Sequence, residues 1–322
     1  MTGGDLLVAA PTRWDEACFA VPALRALVAS GMDVGVMACG GQEEFWATLA
    51  GLRLVLFPEK TKARRAADAI RGQWKASLVW EEGFAADATR LAGIERRLGP
   101  AAGRLAKRLT HPLAVKVGPL EHRVRFYLTA LEEMGVPTGR PEFFAPAALG
   151  VEAVESAVLL CPDSDFGASH EWPLDRWETI ARRLADAGRR LTIAGLPGGR
   201  GLGKSLAVRI GGVAEFFDAA PLSGALPLLA VHGRVIAADG SLPHLAAHAG
   251  STCVTLFGPN DPAWKRPLGR RHSVVKRHVE CAPCLLAKCP LDMRCQKELD
   301  VERVWAAAVS DHRAGNLPLH GI

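Results

Sequence analysis

The sequence predicts an α/β protein built from two doubly wound, Rossmann-like domains. Three observations carry that expectation. Short apolar runs alternate with helical segments through the first half of the chain, as strands and crossover helices do. A stretch punctuated by Pro137, Pro141 and Pro146 then breaks the alternation, and such density of breakers marks a linker. The alternation resumes afterwards and is most regular from Gly233 to Gly269. There the apolar run 235–238 ends at Asp239, Gly240-Ser241 follow, and Leu242, Leu245, Ala246 and Ala249 recur at helical spacing. Gly250 stops that helix, and the run 252–257 ends in Gly258-Pro259. A strand–turn–helix–strand unit of this kind pairs its strands in parallel through a right-handed crossover. Its small-residue turn opens a helix, so free N–H groups and the helix dipole face whatever sits there, and both favour an anion such as a nucleotide diphosphate.

The elements follow in order. The run 6–10 reads as a first buried strand, and a helix begins near Asp15 with Val21, Leu24, Leu27 and Val28 on one face. The segment 34–38 is a second strand, 43–50 a helix, 52–57 a third strand, 60–71 a basic helix and 77–80 a fourth strand. From 86 to 116 the periodicity blurs, and a solvated connector is expected. An amphipathic helix at 122–135 carries Val124, Tyr127, Leu128, Leu131 and Met134 on one stripe. The boundary falls near 147, giving domains of 1–146 and 147–322. In the second, 157–161 and 191–194 are strands, 174–188 is a helix with Trp177, Ile180, Ala181 and Leu184 inward, and 222–232 contains another.

Composition narrows the class. Hydrophobic residues make up 49% and charged residues 23% of the 322, a soluble globular mix able to bury a large core. The net charge of +5 comes without a long basic tract; it suits anionic membranes or acidic substrates and does not argue for nucleic acid. The N-terminus lacks a basic n-region and no apolar run approaches a membrane span, so a cytoplasmic location is expected, with contact at the inner membrane limited to its surface. The eight cysteines are then thiols or metal ligands rather than disulfides.

The run Asp239-Gly240-Ser241-Leu242-Pro243-His244-Leu245-Ala246-Ala247, followed by Leu256-Phe257-Gly258-Pro259-Asn260-Asp261-Pro262, resembles the donor-binding signature of family 9 glycosyltransferases, the ADP-heptose:lipopolysaccharide heptosyltransferases and their relatives. The family's usual form is D-[ST]-G-x-x-H-x-A-A, then F-G-P-T-D-P. Here the middle pair reads Gly-Ser instead of Ser/Thr-Gly. Taken alone, the same residues also suit an ordinary βαβ unit with Asp239 capping the helix and His244 a partly buried polar neighbour. The resemblance implies the GT-B architecture, two Rossmann-like domains facing across a cleft, with acceptor contacts in the first domain and the nucleotide sugar in the second. It implies an inverting transfer, of heptose from an ADP-linked donor to a lipopolysaccharide-core or other glycan or lipid-linked acceptor. Asp239, Gly240, Ser241, Leu242 and His244 would hold the donor.

Three further motifs bear on the site. The segment 14–24, W-D-E-A-C-F-A-V-P-A-L, is similar to the family's G-D-[AV]-x-x-x-x-P-A-L, whose Asp is taken as the general base. Counting back from Pro22 puts that Asp on Glu16 and the Gly on Asp15, so Glu16 is the candidate base and Asp15 its reserve. The structural alternative makes Asp15 an N-cap and Glu16 an acid complementing the helix dipole. The segment 162–173 is similar to P-G-[AS]-x-[FY]-G-x-A-K-x-W-P, and the family's phosphate-contacting Lys falls on His170. Gly198 and Gly199 stand where the family usually carries a ribose-binding acid.

The last motif is Cys281, Cys284, Cys289 and Cys295, spaced C-x2-C-x4-C-x5-C. Four thiols within fifteen residues suit a tetrahedral zinc or iron site, structural in role because four protein ligands leave no open position. A similar cluster follows G-P-x-D-P in many family relatives and resembles the iron finger of bacterial autotransporter heptosyltransferases; four reduced thiols or two disulfides are the alternatives. No catalytic cofactor is expected, since electrostatic stabilisation of the leaving diphosphate stands in for a nucleotide-bound metal. Two other classes stay open: a sugar-nucleotide epimerase or other enzyme of the same architecture, and a binding or scaffold protein whose catalysis has decayed.

Overall fold

The computed structural model describes residues 3–118, 120–196 and 199–310. The chain divides into two compact units, Met1–Ala145 and Pro146–Ile322. Gly198 and everything beyond Ser310 lie outside the described residues.

In the first unit β1 (Gly4–Ala9), β2 (Val34–Cys39), β3 (Leu52–Phe57), β4 (Trp74–Leu78), β5 (Arg96–Pro100) and β6 (His111–Leu113) form one sheet in the order β3-β2-β1-β4-β5-β6. Every pairing in it is parallel, as at Leu6 against Val34 on one side and Ala76 on the other. The crossovers are α1 (Trp14–Ala29), α2 (Glu43–Ala47), α3 (Ala63–Ile70) and α4 (Phe84–Leu91), and α5 (Val124–Glu133) follows the sheet. Central strands of a parallel sheet are covered on both faces, and Leu6, Leu7 and Val8 are accordingly all buried. Helix α1 is buried nearly all round, with Phe19, Ala20, Ala23, Leu24 and Leu27 inside.

The second unit repeats the topology. Strands β7 (Val154–Cys161), β8 (Arg190–Gly195), β9 (Ala214–Asp218), β10 (His232–Ala238), β11 (Thr252–Phe257) and β12 (Ser273–Lys276) form a parallel sheet in the order β12-β11-β10-β7-β8-β9. Its helices are α6 (Leu174–Asp186), α7 (Leu202–Ile210), α8 (Leu226–Val231), α9 (Ser241–His248), α10 (Pro262–Lys265), α11 (Arg294–Lys297) and α12 (Val301–Val309). Its largely aliphatic core holds two tryptophans: Trp172 and Trp177 meet edge to face at 5.5 Å among Leu160, Ile180, Ile193 and Leu256. The Trp172 indole N–H donates to the Leu299 carbonyl at 3.0 Å, tying α12's approach to the start of α6.

In both sheets the strand order reverses direction beside the first strand, between β1 and β4 and between β7 and β10. Such a switch point opens a crevice at the carboxyl ends of the strands, where ligands of doubly wound sheets bind. Two differences from the sequence reading stand out. The supposed connector at 86–116 contains α4, β5 and β6, and the glycine-rich stretch after β8 opens into α7 and β9. Among the described residues no helix is long and apolar enough to cross a membrane.

Candidate active site

The first unit presents an acid at the carboxyl end of β1. Helix α1 starts at Trp14 with Arg13 as its N-cap and no side-chain cap. The N-cap role considered for Asp15 therefore falls away: Asp15 and Glu16 are second and third residues of the helix, where the dipole favours negative charge. Successive helical residues point about 100° apart, and the two carboxylates have different surroundings. Asp15 is wholly buried and takes two hydrogen bonds of 3.1 Å from the Arg13 guanidinium. Glu16 lines a cavity of about 160 Å³ with Pro11, Thr12, Trp80, Arg123 and Tyr127.

Two donors from α5 and its N-cap orient Glu16. Arg123 Nε lies 3.0 and 2.9 Å from its two oxygens, and the Tyr127 hydroxyl donates to Oε2 at 2.7 Å. Arg123 also stacks on the Phe126 ring at 4.0 Å, which fixes its plane. Burial, then the adjacent Glu16 carboxylate, push the Tyr127 phenol well above its ordinary range, so it stays a donor. Tyr127 is the chain's single tyrosine. Sequence placed it on a core stripe, and a lone hydroxyl in that stripe was the available signal for its role.

In the second unit the candidate donor residues gather at the β7/β10 switch point. Asp239 directly follows β10 and is wholly buried. Its Oδ2 accepts from Asn260 Nδ2 at 2.7 Å and sits 2.9 Å from His170 Nδ1, both partners being buried as well. Burial raises the Asp239 carboxyl, opposed by the hydrogen bonds from His170 and Asn260. His170, placed by sequence at a phosphate, thus has Nδ1 turned to Asp239. Gly240 is the N-cap of α9, and Ser241, Leu242 and His244 are all buried on that helix.

The turn itself is occupied by another residue of the chain. Asp165, in the loop after β7, accepts from the Ser241 backbone N–H at 2.8 Å and from its hydroxyl at 2.6 Å. Asp163, two residues earlier, accepts from the Leu202 and Gly203 N–H groups at 2.8 and 3.0 Å and so caps α7. Gly199 lies against the same side chain, with room for no Cβ. Neither acid was singled out by sequence, though two acids in a small-residue loop, where the family form has Gly and a variable residue, were visible there. A larger cavity of about 370 Å³ lies at the amino ends of this sheet's strands, bordered by Arg189, Arg234 and Arg271. It is at the opposite end of the strands from the α9 turn.

The four clustered cysteines are free thiols: Cys281 is exposed, Cys284 and Cys289 half-buried, Cys295 buried. Burial, then Cys281, Cys284 and Cys289 in turn, push the Cys295 thiol up to about 11. Among the described residues no three His, Cys, Asp or Glu side chains converge to hold an ion. The thiols are neighbours, but as placed they do not fit a zinc or iron site.

Comparison with known proteins agrees with this fold. Residues 136–294 match the family model of glycosyltransferase family 9 (heptosyltransferase). Lipopolysaccharide heptosyltransferase 1 of Pseudomonas aeruginosa is 24% identical over 292 residues, 85% of this chain and 77% of that one. Among solved structures, Escherichia coli ADP-heptose lps heptosyltransferase II superposes with a TM-score of 0.76 at 18% identity, covering 95% of this chain and 98% of that one. The E. coli heptosyltransferase WaaC with ADP-2-deoxy-2-fluoro heptose gives 0.71 at 18% identity, over 94% and 98%. The second unit is therefore similar to the family 9 heptosyltransferases, which are glycosyltransferases, and the whole chain shares the GT-B fold of the heptosyltransferase structures.

Proposed function

We propose that the enzyme transfers heptose from an ADP-linked donor to a hydroxyl of a lipopolysaccharide-core acceptor, with inversion at the anomeric carbon. The observation that carries this reading is the position of the family match, which spans the second unit's switch point from Asp163 to Asn260. Under it, the α9 turn of Gly240 and Ser241 receives the diphosphate, with the Asp239–His170 pair and His244 behind it. Glu16 of the first unit takes the acceptor proton, oriented by Arg123 and Tyr127. In-line displacement then needs only a base for the nucleophile and fixed dipoles for the departing diphosphate, so no catalytic cofactor enters. The protein would work in the cytoplasm, against the inner membrane face where such acceptors are displayed; the moderate positive charge supports that placement.

A thermal-shift screen of nucleotide sugars tests the donor. ADP-heptose should raise the melting temperature and UDP-sugars should not; a ligand at a hundred times its dissociation constant adds about 2.7 kcal/mol. Stabilisation by UDP-sugars alone would turn the reading towards another nucleotide-sugar enzyme.

For the cysteine segment we propose a structural zinc or iron, supported by the C-x2-C-x4-C-x5-C spacing of its four thiols. Binding would require Cys281, Cys284 and Cys289 to close on Cys295 from their present positions, with loss of the thiol protons. Metal analysis of protein purified without chelator should give close to one ion per chain, lost in Cys284→Ser. Four freely titrating thiols in metal-free protein of unchanged melting would reject it.

A further inference from the structure

The α9 turn is the place a diphosphate would be expected to dock, and it already holds an anion belonging to the chain. Asp165 takes both donors that Ser241 offers, the backbone N–H at 2.8 Å and the hydroxyl at 2.6 Å. Helix α9 has no side-chain cap of its own at Gly240, so Asp165 satisfies the orphan N–H at its start. The close approach that a glycine permits is also taken: a Cβ on Gly240 would meet Asp165 Oδ1 at 2.9 Å. The carboxylate therefore occupies the hydrogen-bonding groups, the dipole end and the space that a phosphate needs.

The loop carrying Asp165 is braced on both sides. Asp163 binds the start of α7, and the Ser164 hydroxyl donates to the Asp239 carbonyl at 2.6 Å. Ser164 Oγ in turn accepts from the Phe166 N–H at 3.1 Å. The bracing groups are Asp163 and Ser164, so the Asp165 side chain can leave the turn while the loop keeps these contacts. Behind the turn, Asp239 Oδ1 is buried without a hydrogen-bond partner among the described residues, which adds negative character where a second anion would have to enter.

We propose that Asp165 is an internal competitor of the donor diphosphate, which must displace the carboxylate from Ser241 before it can bind. The inference rests on the donor reading above. Displacement multiplies the apparent dissociation constant by the inverse of the fraction of molecules with Asp165 withdrawn. It makes Asp165 a specificity-determining residue: it opposes ligands through their diphosphate and is indifferent to the nucleoside.

Calorimetric titration of the full chain with ADP and with adenosine tests this, using the unsubstituted protein, Asp165→Ala and Asp165→Asn. ADP affinity should rise at least about tenfold in Asp165→Ala, and by less in Asp165→Asn, which keeps an acceptor but loses the charge. Adenosine affinity should be the same in all three. A merely structural Asp165 would weaken both ligands together. Unchanged or weaker ADP binding in a cooperatively melting Asp165→Ala overturns the proposal; if that variant fails to fold, Asp165→Asn decides by the same criterion. Equal gains for ADP and adenosine also overturn it, as a general loosening of the site. ADP binding that is as tight in the unsubstituted chain as in the variants sinks the competitor and leaves the donor reading standing. Absence of ADP binding in all three proteins sinks both.

Discussion

Glu16→Gln should lower turnover at least about a hundredfold, the scale of a lost general base, while ADP affinity and melting hold. Glutamine keeps the shape of the side chain and one acceptor for Arg123 and Tyr127, so the cavity is preserved and only basicity is removed. Asp15→Asn is the control. Asp15 is wholly buried against Arg13 and does not line the cavity. Its substitution should cost about 1 kcal/mol of stability, the net value of a hydrogen bond, and leave turnover within a few-fold. The pair is measured by initial rates with saturating donor and by urea melts. If Asp15→Asn abolishes turnover and Glu16→Gln does not, the register taken from Pro22 is wrong by one residue.

Asp239→Ala should destabilise the second unit by about 2–4 kcal/mol, because it leaves His170 and Asn260 buried without their shared acceptor. For a unit of this size that lowers the melting temperature by roughly 5–15 °C. The loss is partly offset, since burial makes the Asp239 charge itself costly. That cost has a pH signature. Burial raises the carboxyl above its ordinary 3.8, so its contribution to stability is full below 3.8 and is lost as pH rises through the raised folded value. Asp239→Asn lacks that loss, and its stability relative to the unsubstituted chain should improve with rising pH across that window. Urea midpoints at several pH values read the difference directly; a flat difference would mean that the carboxyl is not desolvated as described.

How much of this could be read in the chain depends on how local the cause is. Strands β3 and β11 match the sequence-derived ranges 52–57 and 252–257, because short apolar runs between breakers have few other solutions. β5 (Arg-Arg-Leu-Gly-Pro), β6 (His-Pro-Leu) and β9 (Ala-Glu-Phe-Phe-Asp) escaped. They lie at or next to a sheet edge, are short, and carry polar residues that blur any apolar run. Helix α7 hid behind the glycines that precede it. In the site, the small-residue turn at Gly240-Ser241 was legible, since it is made by consecutive residues. Its occupant was not: Asp165 lies 76 residues earlier. The partners of Glu16 lie 107 and 111 residues away. Spacing along a helix or strand says nothing about such contacts, which only the folded topology brings together.

The central claim, a transferase that uses an ADP-linked heptose and a separate acceptor, is tested most directly by following ADP release from ADP-heptose with and without a heptose-deficient lipopolysaccharide core. The account predicts release only when the acceptor is present, matched mole for mole by a heptose added to the core in its mass spectrum. ADP release that is independent of acceptor, or a core of unchanged mass after complete donor consumption, would contradict it.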